Sequence, residues 1–123
     1  MNMSRKSILI VDDSPIIVER LQNMLKSVEN TGPVSQAGDY SSALSQLMES
    51  RPDIVLLDIN LPDRSGIALL QHIKKVYPSI IVIMISNQAD EYYRKICQRF
   101  GAAYFVDKST EIEQLPDIIF SII

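Results

Sequence analysis

At 123 residues, with 46% apolar and 22% charged side chains and a formal charge of −3, the chain is long enough for one domain built on its own hydrophobic core. The net acidity excludes a basic stripe that follows phosphates: Arg5, Lys6, Lys74, Lys75, Arg94, Lys95 and Arg99 are scattered, and no direct nucleic-acid binding is expected. Cys97 stands alone, which excludes an internal disulfide and a thiolate metal site; with neither a leader-like apolar core in MNMSRKSILIVDD nor a membrane-length apolar run, the expected setting is a reducing cytoplasm, with no membrane partner.

In chain order, five short apolar runs alternate with helical patterns. The runs Ile8–Val11, Ile54–Leu57 and Ile80–Ile85 are nearly uninterrupted Ile, Val and Leu, as parallel strands covered on both faces require; Val34–Ala37 and Ala103–Val106 complete the set. After the first run, Ser14-Pro15 predicts an N-cap with proline at the first helical position, and Ile17, Leu21, Met24, Leu25 and Val28 recur at helical spacing. Leu44, Leu47 and Met48 mark a second helix. Ser65 is placed to cap a third, carried by Ile67, Leu70, Ile73 and Tyr77. Tyr93, Ile96, Cys97 and Phe100 mark a fourth, closed by Gly101 in the left-handed conformation. Thr110 and Glu113 have capping-box spacing for the last helix, but Pro116 lies inside that pattern and predicts a delayed start or a kink. Met24, Met48, Met84 and Cys97 read as core, His72 as solvated and Asp63 as turn chemistry.

Five such units predict an α/β fold: a flavodoxin-like, doubly wound, five-stranded parallel sheet of order 2-1-3-4-5, with five helices on both faces, in one domain over residues 1–123. Sites in such sheets lie beyond the carboxyl ends of the strands. Asp12 and Asp13 end the first run, Asp58 the third and Ser86 the fourth, while Lys108 follows the fifth. With the first and third strands adjacent, three carboxylates converge, and like charges so close raise one another's pKa unless a cation intervenes. An all-oxygen donor set with few carboxylates suits a hard ion, Mg²⁺ or Mn²⁺. Asp58 can then serve as a nucleophile toward phosphorus, with Lys108 and Ser86 holding the transferred oxygens.

These residues, in this order, resemble the receiver domain of two-component response regulators. The matching pieces are Asp12-Asp13, Asp58 in DINLPDRSG, Ser86 closing IIVIMIS, and Lys108 after GAAYFVDK. The resemblance implies a phosphorelay switch that accepts a phosphoryl group on Asp58 from a sensor histidine kinase or histidine phosphotransfer protein and catalyses only its own phosphorylation and dephosphorylation. It implies that Asp13, Asp58 and the backbone carbonyl of Asn60 bind the metal, that Asp12 acts through water, and that Ser86 and Phe105 form the switch. It also implies that the surface of the fourth helix, fifth strand and fifth helix meets a downstream protein target or output domain, or a second copy in a homodimer. No output domain is expected within this chain, which is either a stand-alone receiver or a piece of a longer regulator.

Two departures stand out. The family often has a cis-bonded proline after the lysine; here Ser109 follows, so either a trans loop repositions Lys108 or the site holds a strained bond. Asn87 stands where the family usually has a small residue and is expected to slow the entry of phosphodonors. Two rival functions remain open. A Mg²⁺-dependent aspartyl-phosphate phosphohydrolase would want an acid/base two residues after the nucleophile, where this chain has Asn60. A degenerate or flavin-binding module that is never phosphorylated would have to set an anion against Asp12 and Asp13.

Overall fold

A computed structural model describes residues 5–123; Met1–Ser4, where part of the leader reading rests, lie outside the described residues. The elements are β1 (Lys6–Val11), α1 (Pro15–Leu25), β2 (Thr31–Ala37), α2 (Tyr40–Ser50), β3 (Ile54–Leu57), α3 (Gly66–Val76), β4 (Ile81–Ser86), α4 (Glu91–Arg99), β5 (Tyr104–Asp107) and α5 (Leu115–Ile122), the last preceded by a 3-10 turn at Ile112–Gln114. All strand pairings are parallel and the order is β2-β1-β3-β4-β5, as expected.

The strands alternate their side chains between two cores, as a period of two demands. Leu9, Val11, Val55, Leu57, Val82 and Met84 pack against α2, α3 and α4 through Tyr40, Ala43, Leu47, Leu69, Leu70, Ile73 and Cys97. Ile8, Ile10, Ile54, Leu56, Ile83, Ile85 and Val106 pack on the other face against α1 and α5 through Val18, Leu21, Leu25, Leu115 and Ile119. Both faces of β1, β3 and β4 are therefore buried, which is why their sequences are unbroken Ile, Val and Leu.

Helix ends follow local chemistry. Ser14 Oγ accepts from the Ile17 N–H at 3.4 Å with Pro15 in the first turn, and Ser65 Oγ accepts from the Ile67 N–H at 3.0 Å. Gly101, at φ 102°, closes α4: its N–H donates to the Gln98 carbonyl and that of Ala102 to the Cys97 carbonyl, a Schellman closure that a side chain at Gly101 would strain.

Several expectations are corrected. α1 ends at Leu25, because Lys26, Ser27 and Val28 turn back with i→i−3 bonds, so buried Val28 lies beyond the helix. β2 begins at Thr31, three residues earlier than its apolar run, with the register shifting where Gly32-Pro33 opposes β1. Met48 is exposed, since the inner face of α2 is set by Tyr40, Ala43 and Leu47. The Thr110–Glu113 capping box does not form; the structure caps neither Ile112–Gln114 nor α5 with a side chain. Pro116 falls in the first turn of α5, and the helix starts late. His72 is half-buried, edge-on to Tyr77 with ring centroids 6.3 Å apart.

Candidate functional site

The register brings the acidic residues together. Val11 pairs with Leu57 at the end of β1 and β3, so the next residues, Asp12 and Asp58, leave adjacent strand tips side by side. The ladder continues into the site: the Asp58 N–H donates to the Val11 carbonyl and the Asp12 N–H to the Ala37 carbonyl, both at 3.0 Å. Asp12, Asp13 and Asp58 each present a carboxylate oxygen within 4.8 Å of the others, with Asp12 and Asp58 buried and Asp13 exposed.

Lys108 enters this group from the end of β5. Its Nζ lies 2.6 Å from Asp12 Oδ2 and 3.2 Å from Asp58 Oδ2, with only 8% of the side chain exposed. One ammonium charge cannot neutralise two buried carboxylates. Burial pushes the Asp58 carboxyl above its ordinary value, with the charge of Asp12 adding to the effect, and the more distant Lys108 offsets this only in part. Burial by itself would lower Lys108, but its hydrogen bond to Asp12 and the charges of Asp58 and Asp12 outweigh that, and the lysine is held above its ordinary value. Asp12 is further tied by the Ser14 N–H, which donates to Oδ1 at 2.9 Å.

The loop after Asp58 is clamped at three points. Gly66 N–H donates to the Ile59 carbonyl at 2.6 Å, and a Cβ on Gly66 would collide with the Asp58 carbonyl. Asp63 lies in the bend of this loop, as a turn residue should, and also reaches α2: its Oδ1 accepts from the Tyr40 N–H at 2.8 Å and Oδ2 from the Ser41 N–H at 3.1 Å. Arg64 stacks its guanidinium 4.8 Å from the Tyr40 ring centroid. Asn60 rides on this loop.

Ser86 is fully buried at the end of β4, its Oγ accepting from the Gln88 N–H at 3.0 Å, which leaves the hydroxyl proton for another acceptor. Phe105 is half-buried on β5, with the Arg94 guanidinium 5.1 Å from its ring centroid, while its neighbour Tyr104 is exposed. No peptide bond among the described residues is cis, so Lys108–Ser109 is trans. The loop meets the missing proline with side chains: Asp107 Oδ1 accepts from the Ser109 N–H at 2.8 Å and from its hydroxyl at 2.7 Å. Glu111, which the sequence reading passed over, accepts from the Asp107 N–H and from Arg94 Nη2, each at 2.9 Å.

Chemically, the cluster's three carboxylates offer oxygen donors only, and Asp12, Asp13 and Asp58 would suit a hard cation such as Mg²⁺ or Mn²⁺. The family model described as "response regulator receiver domain" matches residues 8–120. The chain belongs to this family. The DNA-binding transcriptional activator EvgA of Escherichia coli K12 is 32% identical over 102 residues, covering 81% of this chain and 48% of EvgA. The chain thus spans about half the length of this curated relative. Among solved structures, the phosphorylated cyanobacterial phytochrome response regulator RcpA is 26% identical with a TM-score of 0.82, covering 97% of this chain and 91% of RcpA. The Mn²⁺-bound response regulator Rcp1 is 25% identical with a TM-score of 0.81, covering 95% of this chain and 91% of Rcp1. As a response-regulator receiver, this chain carries the acidic pocket at which such domains take Mg²⁺ or Mn²⁺. No described helix is long and apolar enough to cross a membrane.

Proposed function

We propose that this receiver is a phosphorylation-controlled switch in which Asp58 accepts a phosphoryl group from a phosphohistidine on a sensor kinase or phosphotransfer protein. The observation that carries the reading is the convergence of Asp12, Asp13 and Asp58 with the Lys108 ammonium at one rim of the sheet. In the step, an Asp58 carboxylate oxygen attacks phosphorus while the bond from phosphorus to the donor imidazole breaks; the imidazole leaves with that electron pair and becomes neutral on taking a proton. Asp13, Asp58 and the Asn60 carbonyl would hold Mg²⁺ or Mn²⁺, with Asp12 orienting a bound water. Such an ion supplies neutralisation of the charge on the transferred oxygens. Lys108 swings from Asp58 toward those oxygens while keeping Asp12 as its anchor, and Ser86 donates its free hydroxyl proton to them.

The new phosphoryl oxygens then favour a second arrangement of Ser86 and Phe105, which alters the surface of α4, β5 and α5 and its preference for a downstream protein, an output domain or a second copy. Exposed Tyr92, Tyr104 and Phe120 on these elements supply apolar contact area for such a partner. A hydrolase reading is disfavoured because Asn60 cannot shuttle a proton. The deciding experiment is incubation with acetyl phosphate and Mg²⁺ followed by intact mass. One phosphoryl adduct, absent in Asp58→Ala, is expected; no adduct at all, or an adduct that persists in Asp58→Ala, would overturn the switch.

A further inference from the structure

Lys108 must place a flexible four-carbon side chain between two buried carboxylates, so the backbone beneath it has to be rigid. Its own N–H donates to the Ser86 carbonyl at 3.0 Å, which fixes one side. The other side has no proline. There, a ring of hydrogen bonds closes around the lysine: Ser109 to Asp107 Oδ1, the Asp107 N–H to Glu111 Oε1 at 2.9 Å, and the Glu111 N–H back to the Asp107 carbonyl at 2.8 Å. Glu111 is held in turn by Arg94. That guanidinium donates through Nη2 to Glu111 Oε1 at 2.9 Å, through Nε to the Ala89 carbonyl at 2.9 Å and through Nη1 to the Phe105 carbonyl at 3.4 Å. The pair is two-thirds shielded, with side-chain exposures of 32% and 31%, unlike the open Arg20–Glu113 pair at 46% and 86%. Shielding and several hydrogen bonds per group make such a pair firmer than an open surface ion pair.

We propose that Glu111, oriented by Arg94, is the positioning residue for Lys108, doing with a trans backbone and a carboxylate what a proline would otherwise do for that loop. Arg94 also touches Phe105, so the same pair ties the lysine to the aromatic that changes on activation. This inference rests on the reading of Lys108 as the cation that meets the phosphoryl oxygens. Its signature is selective: the phosphoryl-transfer rate should suffer, whereas the metal, held by Asp13, Asp58 and the Asn60 carbonyl, should bind as before.

The test compares the native chain with Glu111→Ala, Glu111→Gln, Arg94→Met and the Glu111→Ala/Arg94→Met pair, with Arg20→Ala as a control. In each, the acetyl phosphate labelling rate, Mg²⁺ affinity by calorimetry and the hydrogen exchange of the Lys108 ammonium by NMR are measured. Glu111→Ala should label roughly tenfold more slowly at saturating donor, with half-saturating donor and Mg²⁺ affinity unchanged. Glu111→Gln, which keeps an oxygen for the Asp107 N–H, should recover most of the rate. The double variant should be no slower than the worse single one, because two residues acting as one unit are not additive. Additive losses, a native rate in Glu111→Ala, or a parallel fall in Mg²⁺ affinity would overturn the proposal. If the native chain takes no phosphoryl group, the phospho-acceptor reading falls, and ammonium exchange decides alone: faster exchange in Glu111→Ala upholds the positioning role and unchanged exchange sinks it.

Discussion

Gly66 opens α3 directly against the carbonyl of Asp58, so closely that a Cβ at position 66 would collide with that oxygen and also crowd the Ile59 Cα at 2.9 Å. Both obstacles are backbone at the end of β3, and neither can rotate away. Gly66→Ala must therefore push the Asp58 backbone or the start of α3 aside. The expected outcome is a loss of about 1–3 kcal/mol by denaturant unfolding, the usual range for overpacking, with slower labelling of Asp58 because its carboxylate is displaced. A variant as stable as the native chain would mean that α3 docks more loosely than this contact implies.

Asp63 clips the loop after Asp58 onto the first turn of α2, and the Tyr40 N–H is the main reason its carboxyl lies below the ordinary value of 3.8. A group whose folded pKa is depressed stabilises above its unfolded value, and that contribution disappears as pH falls through the folded one. Asp63→Ala should lower the melting temperature at neutral pH by a few degrees. The gap to the native chain should close as the solution is acidified below about 3.8. A gap that persisted in acid would place the effect elsewhere than in the charged cap.

How much of this was legible in the sequence follows from the range of the interactions. The strands announced themselves because parallel pairing buries both faces, and the convergence of Asp12 with Asp58 needed only the strand order and a register aligned at Val11 and Leu57. Asp63 lies in a bend, as a turn residue should, but its hold on α2 is not legible because its partners are 22 and 23 residues away and no local spacing encodes them. Glu111 was passed over for the same reason, with Arg94 17 residues distant. Met48 was misassigned because an apolar residue beside Leu47 fits a broad helical stripe, and only the docking of α2 shows which edge of the stripe is buried.

Metal binding should report on the same carboxylates without any phosphodonor. A ligand that binds only the folded state adds stability by mass action, about 2.7 kcal/mol at a hundredfold excess over its dissociation constant. Mg²⁺ should raise the melting temperature of the native chain. Asp13→Asn removes an exposed carboxylate of the cluster without opening a cavity, so it should abolish most of that rise while leaving the fold intact. An equal Mg²⁺ response in both proteins would remove Asp13 from the ligand set.

Asn87 follows Ser86 in the loop between β4 and α4 and its side chain is exposed at the rim of the site. If its amide narrows the approach to Asp58, Asn87→Ala should accelerate labelling by acetyl phosphate without altering Mg²⁺ affinity. An unchanged rate would show that donors reach Asp58 from another side.

Asp58 itself should be a liability to stability at neutral pH. Its carboxyl is raised above 3.8 chiefly by burial, and the sign runs opposite to that of Asp63. A folded pKa above the unfolded one means that the folded state prefers the protonated form, so stability is lost as pH climbs from the unfolded value through the folded one. Lys108 opposes this, but it is shared with Asp12 at the shorter distance of 2.6 Å and leaves Asp58 undercompensated. Asp58→Asn, isosteric and neutral, should then unfold at a higher temperature than the native chain at pH 7, with the advantage shrinking toward pH 4. Mg²⁺ should reverse the order, because only the native carboxylate gains from the ion. Should Asp58→Asn prove less stable at pH 7, the attraction of Lys108 outweighs desolvation, and Asp58 rests in the fold as a satisfied ion-pair partner rather than as a carboxylate poised to react.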